Sequence, residues 1–377
     1  MTQPSYSPGL EGVIAAATSI SYLDTEHEQI VLRGYDLIEL ARTKRYTEVA
    51  YLTLYGHLPS AQELARFEGQ LREQAELPDE VYRLLDLLPP RMHVMDAQRT
   101  VLSYLAGLED PEALRDTSVE ANLRRGVRVL AQMPAITANA YRALRGLPRV
   151  RPDPSLGFSE GFLYMLVGSR PDPDAARVFD LTLTCYIEHE MPNSTFAARV
   201  IASTLSDLYG ALVGAAASLK GPLHGGANEA VAHMLLDILQ HGGAEGAEAY
   251  VLERLRRGER IMGFGHRVYM RRYDPRALLM REFVPLLAAR RPEGEELVRI
   301  HQTVERVMHR EKGLYPNADY PAGLLYYLLG IPIELYTPIF LVARTAGLVA
   351  HVTEQHAHNR LFRPRVLYEG PRGLRPE

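Results

Sequence analysis

Four short segments of this 377-residue sequence concentrate side chains able to move protons or bind anions. The densest is Lys220-Gly-Pro-Leu-His224-Gly-Gly-Ala-Asn-Glu229, a histidine in a glycine-rich turn just ahead of a helix expected from about Asn228. The positive end of that helix disfavours an imidazolium, so His224 is expected to stay neutral. A neutral imidazole can donate its one N–H to a carbonyl oxygen and stabilise negative charge developing there. The flanking glycines would let a substrate approach the backbone closely. The plainer alternative is a loop histidine that bonds a backbone carbonyl.

The second segment, Ile261-Met-Gly-Phe-Gly-His266-Arg-Val-Tyr-Met-Arg271-Arg-Tyr-Asp274-Pro-Arg276, sets four arginines around one histidine. Gly263-x-Gly265 is half of a dinucleotide fingerprint and follows no strand, which argues against a Rossmann site. The basic density is either a solvated face or a site for a polyanionic ligand, with Arg276 near a helix start. In the third segment, Lys312-Gly-Leu-Tyr-Pro-Asn-Ala-Asp319-Tyr-Pro, Asp319 precedes a helix, where an aspartate is commonly an N-cap. The fourth is Arg344, inside the apolar run Phe340-Leu-Val-Ala-Arg-Thr-Ala-Gly-Leu. A guanidinium buried there needs an anion, either a structural carboxylate or a substrate. His351, His356 and His358 lack the i, i+4 spacing of a zincin, and the one cysteine, Cys185, gives no thiolate cluster, so no metal site is expected.

The elements that must hold these groups read as helices. Ser60-x-x-Glu63 is a capping box opening a helix to about Gln74. An apolar stripe from Val200 to Leu219 predicts one long helix, ended by Gly221-Pro222. Asp274-Pro275 and Thr337-Pro338 each predict an N-cap followed by Pro at the first helical position. The strand signals are Ile20-Ser-Tyr-Leu and Gln29-Ile-Val-Leu-Arg, a small N-terminal hairpin. Strands do not alternate with helices, so the fold class is all-α with a minor N-terminal β-hairpin. Proline- and glycine-rich breaks at 146–157 and 220–226 are the candidate linkers.

Composition narrows the function classes. At roughly 150 residues per domain, the length predicts two to three domains or one large one. Lys and Arg number 42 against 46 Asp and Glu, a net charge of -4, which lacks the basic footprint of a nucleic-acid binder. A lone cysteine allows no internal disulfide framework. The first residues carry no basic and apolar leader, and the apolar stretch 336–352 contains Arg344 and a proline, so neither a secretory signal nor a membrane span is expected. The expectation is a soluble, cytoplasmic protein.

Taken together, the motifs resemble the citrate synthase family along nearly the whole chain. They run from Gly9-Leu-Glu-Gly-Val and Leu32-Arg-Gly-Tyr-Asp36 through Glu188-His189-Glu190, Ser194-Thr-Phe-Ala-Ala-Arg199, Gly221-Pro-Leu-His-Gly-Gly-Ala-Asn228 and Gly263-Phe-Gly-His-Arg-Val-Tyr269. Asn317-Ala-Asp319 and Asn359-Arg-Leu-Phe-Arg-Pro364 complete the series. The pattern departs at Met191-Pro192-Asn193, at Tyr320-Pro-Ala-Gly after Asp319, and by one extra residue between His266 and Asp274. The resemblance implies a two-domain, mostly helical subunit: residues 1–221 with 330–377 as a large domain, and 222–329 as a smaller mobile one. It implies hinges near 221–226 and Gly330. It implies condensation of acetyl-CoA with oxaloacetate, then hydrolysis of the thioester to citrate and CoA, with no cofactor beyond acetyl-CoA as co-substrate. Propionyl-CoA, giving 2-methylcitrate, is the alternative, and a non-catalytic CoA- or dicarboxylate-binding module is a remote one. Carried over residue by residue, His224 polarises the thioester carbonyl, Asp319 removes the methyl proton and His266 polarises the ketone. His189, Arg276, Arg344 and Arg363 match the oxaloacetate ligands, and Gly263, Phe264, Gly265, Arg271 and Lys312 the CoA site. The resemblance also implies a homodimer in which Arg363 reaches the partner's site.

Overall fold

The computed structural model describes residues 6–265 and 272–376. Strands Ser21–Asp24 (β1) and Gln29–Leu32 (β2) pair antiparallel with Ser21 opposite Leu32. Asp24 closes the turn between them, its Oδ1 accepting the backbone N–H groups of Glu26 and His27. This is the hairpin predicted from the alternating β-rich runs. A third strand, Tyr35–Asp36 (β3), extends the sheet beside β2 and was too short to signal itself. Asp36 then caps the helix Leu37–Thr43 through the N–H groups of Ile38 and Glu39.

The remaining regular structure among the described residues is helical. Two long helices, Val119–Leu144 and Tyr336–Ala357, pack together through the centre. Gly126 makes their close approach possible, because a Cβ there would sit 2.2 Å from Val349 Cγ1. The apolar composition of Tyr336–Ala357 is thereby accounted for: it is a core helix, nearly all of it buried inside the protein. The Ser60 capping box forms as read, with Glu63 and Ser60 exchanging side-chain-to-backbone bonds.

Two expectations are corrected. The stripe 200–219 is not one helix but two, Asn193–Ala202 and Leu208–Leu219. The chain reverses at Leu205, whose φ is +62°, and Asp207 restarts the helix by accepting the Gly210 N–H. The helices lie against each other, and Gly214 leaves room for Ile201, whose Cδ1 would be 2.1 Å from a Cβ. The stripe looked continuous because both helices bury apolar faces. Thr337 is also not an N-cap: the helix already begins at Tyr336. The Thr337 N–H instead donates to Glu229 Oε1 (3.1 Å), and its hydroxyl is shared between that carboxylate and the Gly225 carbonyl. Glu229, at the start of the helix Ala227–His241, thus ties the His224 loop to the core helix.

Between 222 and 329, the helices Ala227–His241, Gly243–Arg256, Pro275–Arg281, Val284–Ala288, Gly294–Lys312 and Asp319–Leu328 pack mainly on one another. The segment after Ala357 runs without regular structure and is almost wholly exposed.

Candidate active site

His224 sits in the turn between Leu208–Leu219 and Ala227–His241, held by N–H bonds from His224 to the Gly221 carbonyl and from Gly225 to the Leu219 carbonyl. Its ring Nε2 faces Ser194, 3.3 Å from the backbone N and 2.9 Å from Oγ. A backbone N–H can only donate, so Nε2 is the acceptor and Nδ1 carries the proton. Among the described residues Nδ1 has no hydrogen-bond partner, which leaves it available to a ligand. Ser194 is the second residue of Asn193–Ala202, where backbone N–H groups lack intrahelical acceptors. The helix start that fixes His224 is therefore this one, and not Ala227–His241 as the sequence order suggested. Burial, then the Arg344 guanidinium, pushes the His224 pKa down to about 4, so the ring is neutral at working pH.

Asp319 opens the helix Asp319–Leu328, yet its side chain does not cap it; the N-cap is Ala318. Instead Asp319 Oδ1 accepts the Tyr186 hydroxyl at 2.7 Å. Among the described residues, Oδ2 has no hydrogen-bond partner. Burial is the largest influence and pushes the Asp319 pKa up to about 6, against the opposing pull of the Tyr186 bond, Arg276 and Arg344. A carboxylate tuned to this range is ionised at neutral pH and basic enough to take a proton. Asn317 orients the turn below it, accepting the Asp319 N–H through Oδ1 (3.1 Å) and donating to the Gly265 carbonyl (2.9 Å).

That last bond joins the base to the Gly263–Gly265 segment. Gly265 N–H donates to the Tyr315 carbonyl and Asn317 N–H to the Gly263 carbonyl, so the two loops run side by side. Gly263 has φ +85°, and a Cβ on it would fall 2.7–2.9 Å from Val231 and Tyr320, so glycine is required here. Phe264 is fixed by its contact with Tyr320, ring centroids 4.5 Å apart. His266 and Arg271 lie outside the described residues. Lys312 ends the helix Gly294–Lys312 and is exposed.

The anion-binding candidates divide. Arg344 is 1% exposed; its Nε–H donates to the Tyr186 carbonyl (2.7 Å) and its guanidinium lies over Phe340, but Nη1 has no hydrogen-bond partner among the described residues. Burial lowers its pKa to about 10, with Glu188 pulling the other way. Glu188 does not bond it: its Oε1 takes the His351 ring (3.1 Å) and the Ser21 hydroxyl (3.0 Å). Arg199 donates to the other His351 nitrogen, Nδ1 (2.8 Å), so the His351 proton lies on Nε2, toward Glu188. His189, the next residue after Glu188, is also buried, and Gly347 leaves the space that brings residues 187 and 188 against the core helix. Arg276 is buried in a two-bond pair with Asp274 (3.0 and 2.7 Å), and Asp274 also receives the Ala318 N–H beside Asp319. Arg363 is not gathered in: it lies on the exposed C-terminal segment, donating to the Pro364 carbonyl. Among the described residues no group of three or more His, Cys, Asp or Glu forms a metal cage.

Phe340 gathers the pieces. Its ring lies 4.5 Å from Tyr186, 6.3 Å from His224 and beneath Arg344. Sequence reasoning missed Tyr186, Phe340 and Ser194 as site residues. Phe340 is far along the chain from Tyr186 and Ser194, and nothing in their spacing announces that they meet. Chemically, the arrangement offers a neutral N–H donor, a raised carboxylate and a buried guanidinium whose Nη1 bonds none of the described residues, the groups needed to enolise a carbonyl compound beside an anionic second substrate.

Comparison with known proteins agrees with this geometry. The family profile "Citrate synthase, C-terminal domain" matches residues 9–365. The chain is 53% identical to the citrate/2-methylcitrate synthase of Bacillus subtilis (strain 168) over 97% of each chain. It is 50% identical to the citrate synthase of Heyndrickxia coagulans over 99% of this chain and 98% of that one. The ternary complex of Thermoplasma acidophilum citrate synthase with carboxymethyl coenzyme A and oxaloacetate superposes with a TM-score of 0.92 at 32% identity, covering 99% of this chain and 98% of that one. By profile, by identity and by fold, the chain belongs to the citrate synthase family.

Proposed function

We propose that the protein is an acyltransferase that condenses acetyl-CoA with oxaloacetate and hydrolyses the resulting thioester to citrate and CoA. Asp319 takes a proton from the thioester methyl while the Nδ1–H of His224 bonds the carbonyl oxygen, so that charge leaving carbon is met at oxygen. The enol carbon attacks the oxaloacetate ketone, whose oxygen is polarised by His266. Water then cleaves the thioester. Oxaloacetate carboxylates are bound by His189, Arg276, Arg344 and the partner subunit's Arg363 in a homodimer. Gly263–Gly265, Arg271 and Lys312 serve CoA. No metal and no resident cofactor enters this scheme, and a cytoplasmic setting is part of the same reading. Residues 222–329 act as the small domain that closes on the site. The observation that carries the reading is the pairing of a neutral His224, its free N–H set by Ser194, with the raised carboxylate of Asp319.

A second reading, 2-methylcitrate synthesis from propionyl-CoA, is favoured by the name of the Bacillus subtilis relative, which covers both acyl chains. One methylene changes discrimination by only about 1–3 kcal/mol. Thiol release followed with oxaloacetate and each acyl-CoA in turn decides between them: the higher kcat/KM is expected with acetyl-CoA. A higher value with propionyl-CoA moves the assignment to 2-methylcitrate, and no release with either makes the protein a binding module.

A further inference from the structure

Resting on the reading of Asp319 as the base, we propose that Tyr186 is a positioning residue for that base. Its hydroxyl occupies Asp319 Oδ1 and leaves Oδ2 as the oxygen presented to the reacting methyl group.

A carboxylate on a short side chain can rotate and offer either oxygen, and proton transfer from carbon demands one orientation. Tyr186 removes that freedom. Its O–H donates to Oδ1 at 2.7 Å, joining residues 133 apart in sequence, while Oδ2 bonds none of the described residues. Tyr186 is itself fully enclosed, at 1% exposure, and its ring is pinned against Phe340 with centroids 4.5 Å apart. Burial and the neighbouring Asp319 carboxylate push its pKa well above the ordinary tyrosine value, so the phenol keeps its proton and remains a donor throughout catalysis. The same residue's carbonyl accepts the Arg344 Nε–H at 2.7 Å. One residue at the end of the helix Pro173–Tyr186 therefore sets the direction of both the base and the anion-binding guanidinium.

A hydrogen bond to the charged form of a carboxylate lowers its pKa. Other groups facing Asp319 are Asp274 and Arg276 at the start of Pro275–Arg281 and Arg344 on the core helix. Tyr326 lies on Asp319's own helix. A Tyr186→Phe substitution alters none of these and keeps the ring packing, so it deletes one donor from a buried site. Losing that donor must raise the Asp319 pKa.

The test compares the wild-type full-length protein with Tyr186→Phe and Asp319→Asn. For Tyr186→Phe, kcat should fall by about 10- to 10²-fold, with the oxaloacetate KM within about twofold and thermal stability retained. The acid limb of its kcat/KM profile should move to higher pH. Unchanged kcat and an unmoved acid limb would overturn the proposal. So would a loss of rate accompanied by a lower melting temperature without a limb shift, the pattern of a residue that only packs. Asp319→Asn separates this from the parent reading: if that variant keeps turnover, the base is another group, whatever Tyr186→Phe does.

Discussion

Replacing Arg344 by Met should leave the ligand-free protein about as stable as wild type while removing its response to oxaloacetate. The guanidinium is buried, and burial brings its pKa down to about 10 from the ordinary arginine range; at 1.36 kcal/mol per unit, the folded environment disfavours the charge by roughly 3 kcal/mol. At neutral pH the group is charged both folded and unfolded, so the whole of that cost is present. Methionine removes it, keeps an apolar stem over Phe340, and forfeits the bond from Nε to the Tyr186 carbonyl, about 1–3 kcal/mol when the carbonyl is left without a partner. The two effects nearly cancel, so the net change should stay within about 2 kcal/mol. Glu188 loses a distant favourable charge but keeps its bonds to His351 and Ser21. Binding behaves differently. Bonds from a charged donor are worth about 1.5–3 kcal/mol each, so losing the free Nη1 and its neighbours should weaken oxaloacetate by at least about 10²-fold. Denaturant titration with and without oxaloacetate separates the effects, because a ligand at 100 times its Kd stabilises by about 2.7 kcal/mol. Wild type should gain on adding oxaloacetate and Arg344→Met should not. If the ligand-free variant instead loses more than about 3 kcal/mol, Arg344 is half of a structural ion pair with Glu188 and the reasoning fails.

Further outcomes follow from the same geometry. With Asp319 tuned to about 6 and His224 to about 4, kcat/KM should fall with unit slope below about pH 6, as one carboxylate takes up a proton; a limb at ordinary carboxylate pKa contradicts the assignment. Oxaloacetate should slow hydrogen exchange in the 260–275 segment as residues 222–329 close; unchanged exchange at saturation counts against that division. Co-expressed, differently tagged Asp319→Ala and Arg363→Ala chains should regain roughly a quarter of wild-type activity by random pairing, and purified mixed dimers about half. Mixed dimers of confirmed composition that stay inactive would show that Arg363 serves its own chain. Gly263→Ala should lower acetyl-CoA turnover, since a Cβ there meets Tyr320 and Val231 in a left-handed backbone; wild-type kinetics would show that the loop tolerates a shift.

The fold class was legible because its signals are local: the Ser60 capping box, the Asp274-Pro275 start and the hairpin each follow from a few adjacent residues. The reading failed where tertiary packing overrides pattern. Nothing local distinguishes an apolar stripe on one helix from a stripe continued on a second helix folded back on it, as at Leu205. Thr337 reads as a cap until Glu229 arrives from another helix. In the site, His224, Asp319 and Arg344 stood out through residue type in unusual surroundings. What gives them their properties did not. The Ser194 N–H that sets the His224 tautomer is a backbone group, and Tyr186 looks like any apolar-helix tyrosine until its hydroxyl meets Asp319.

The central claim, that His224 and Asp319 together enolise the acyl-CoA, is tested most directly by thiol release in Asp319→Asn, His224→Ala and the double variant. Each single variant should lose at least about 10²-fold in kcat with its fold retained, and the double variant should lose little more than the worse single one, because groups acting on one step do not add. Near-full turnover in Asp319→Asn would contradict the claim outright. Losses that multiply in the double variant would show that the two residues act on separate steps.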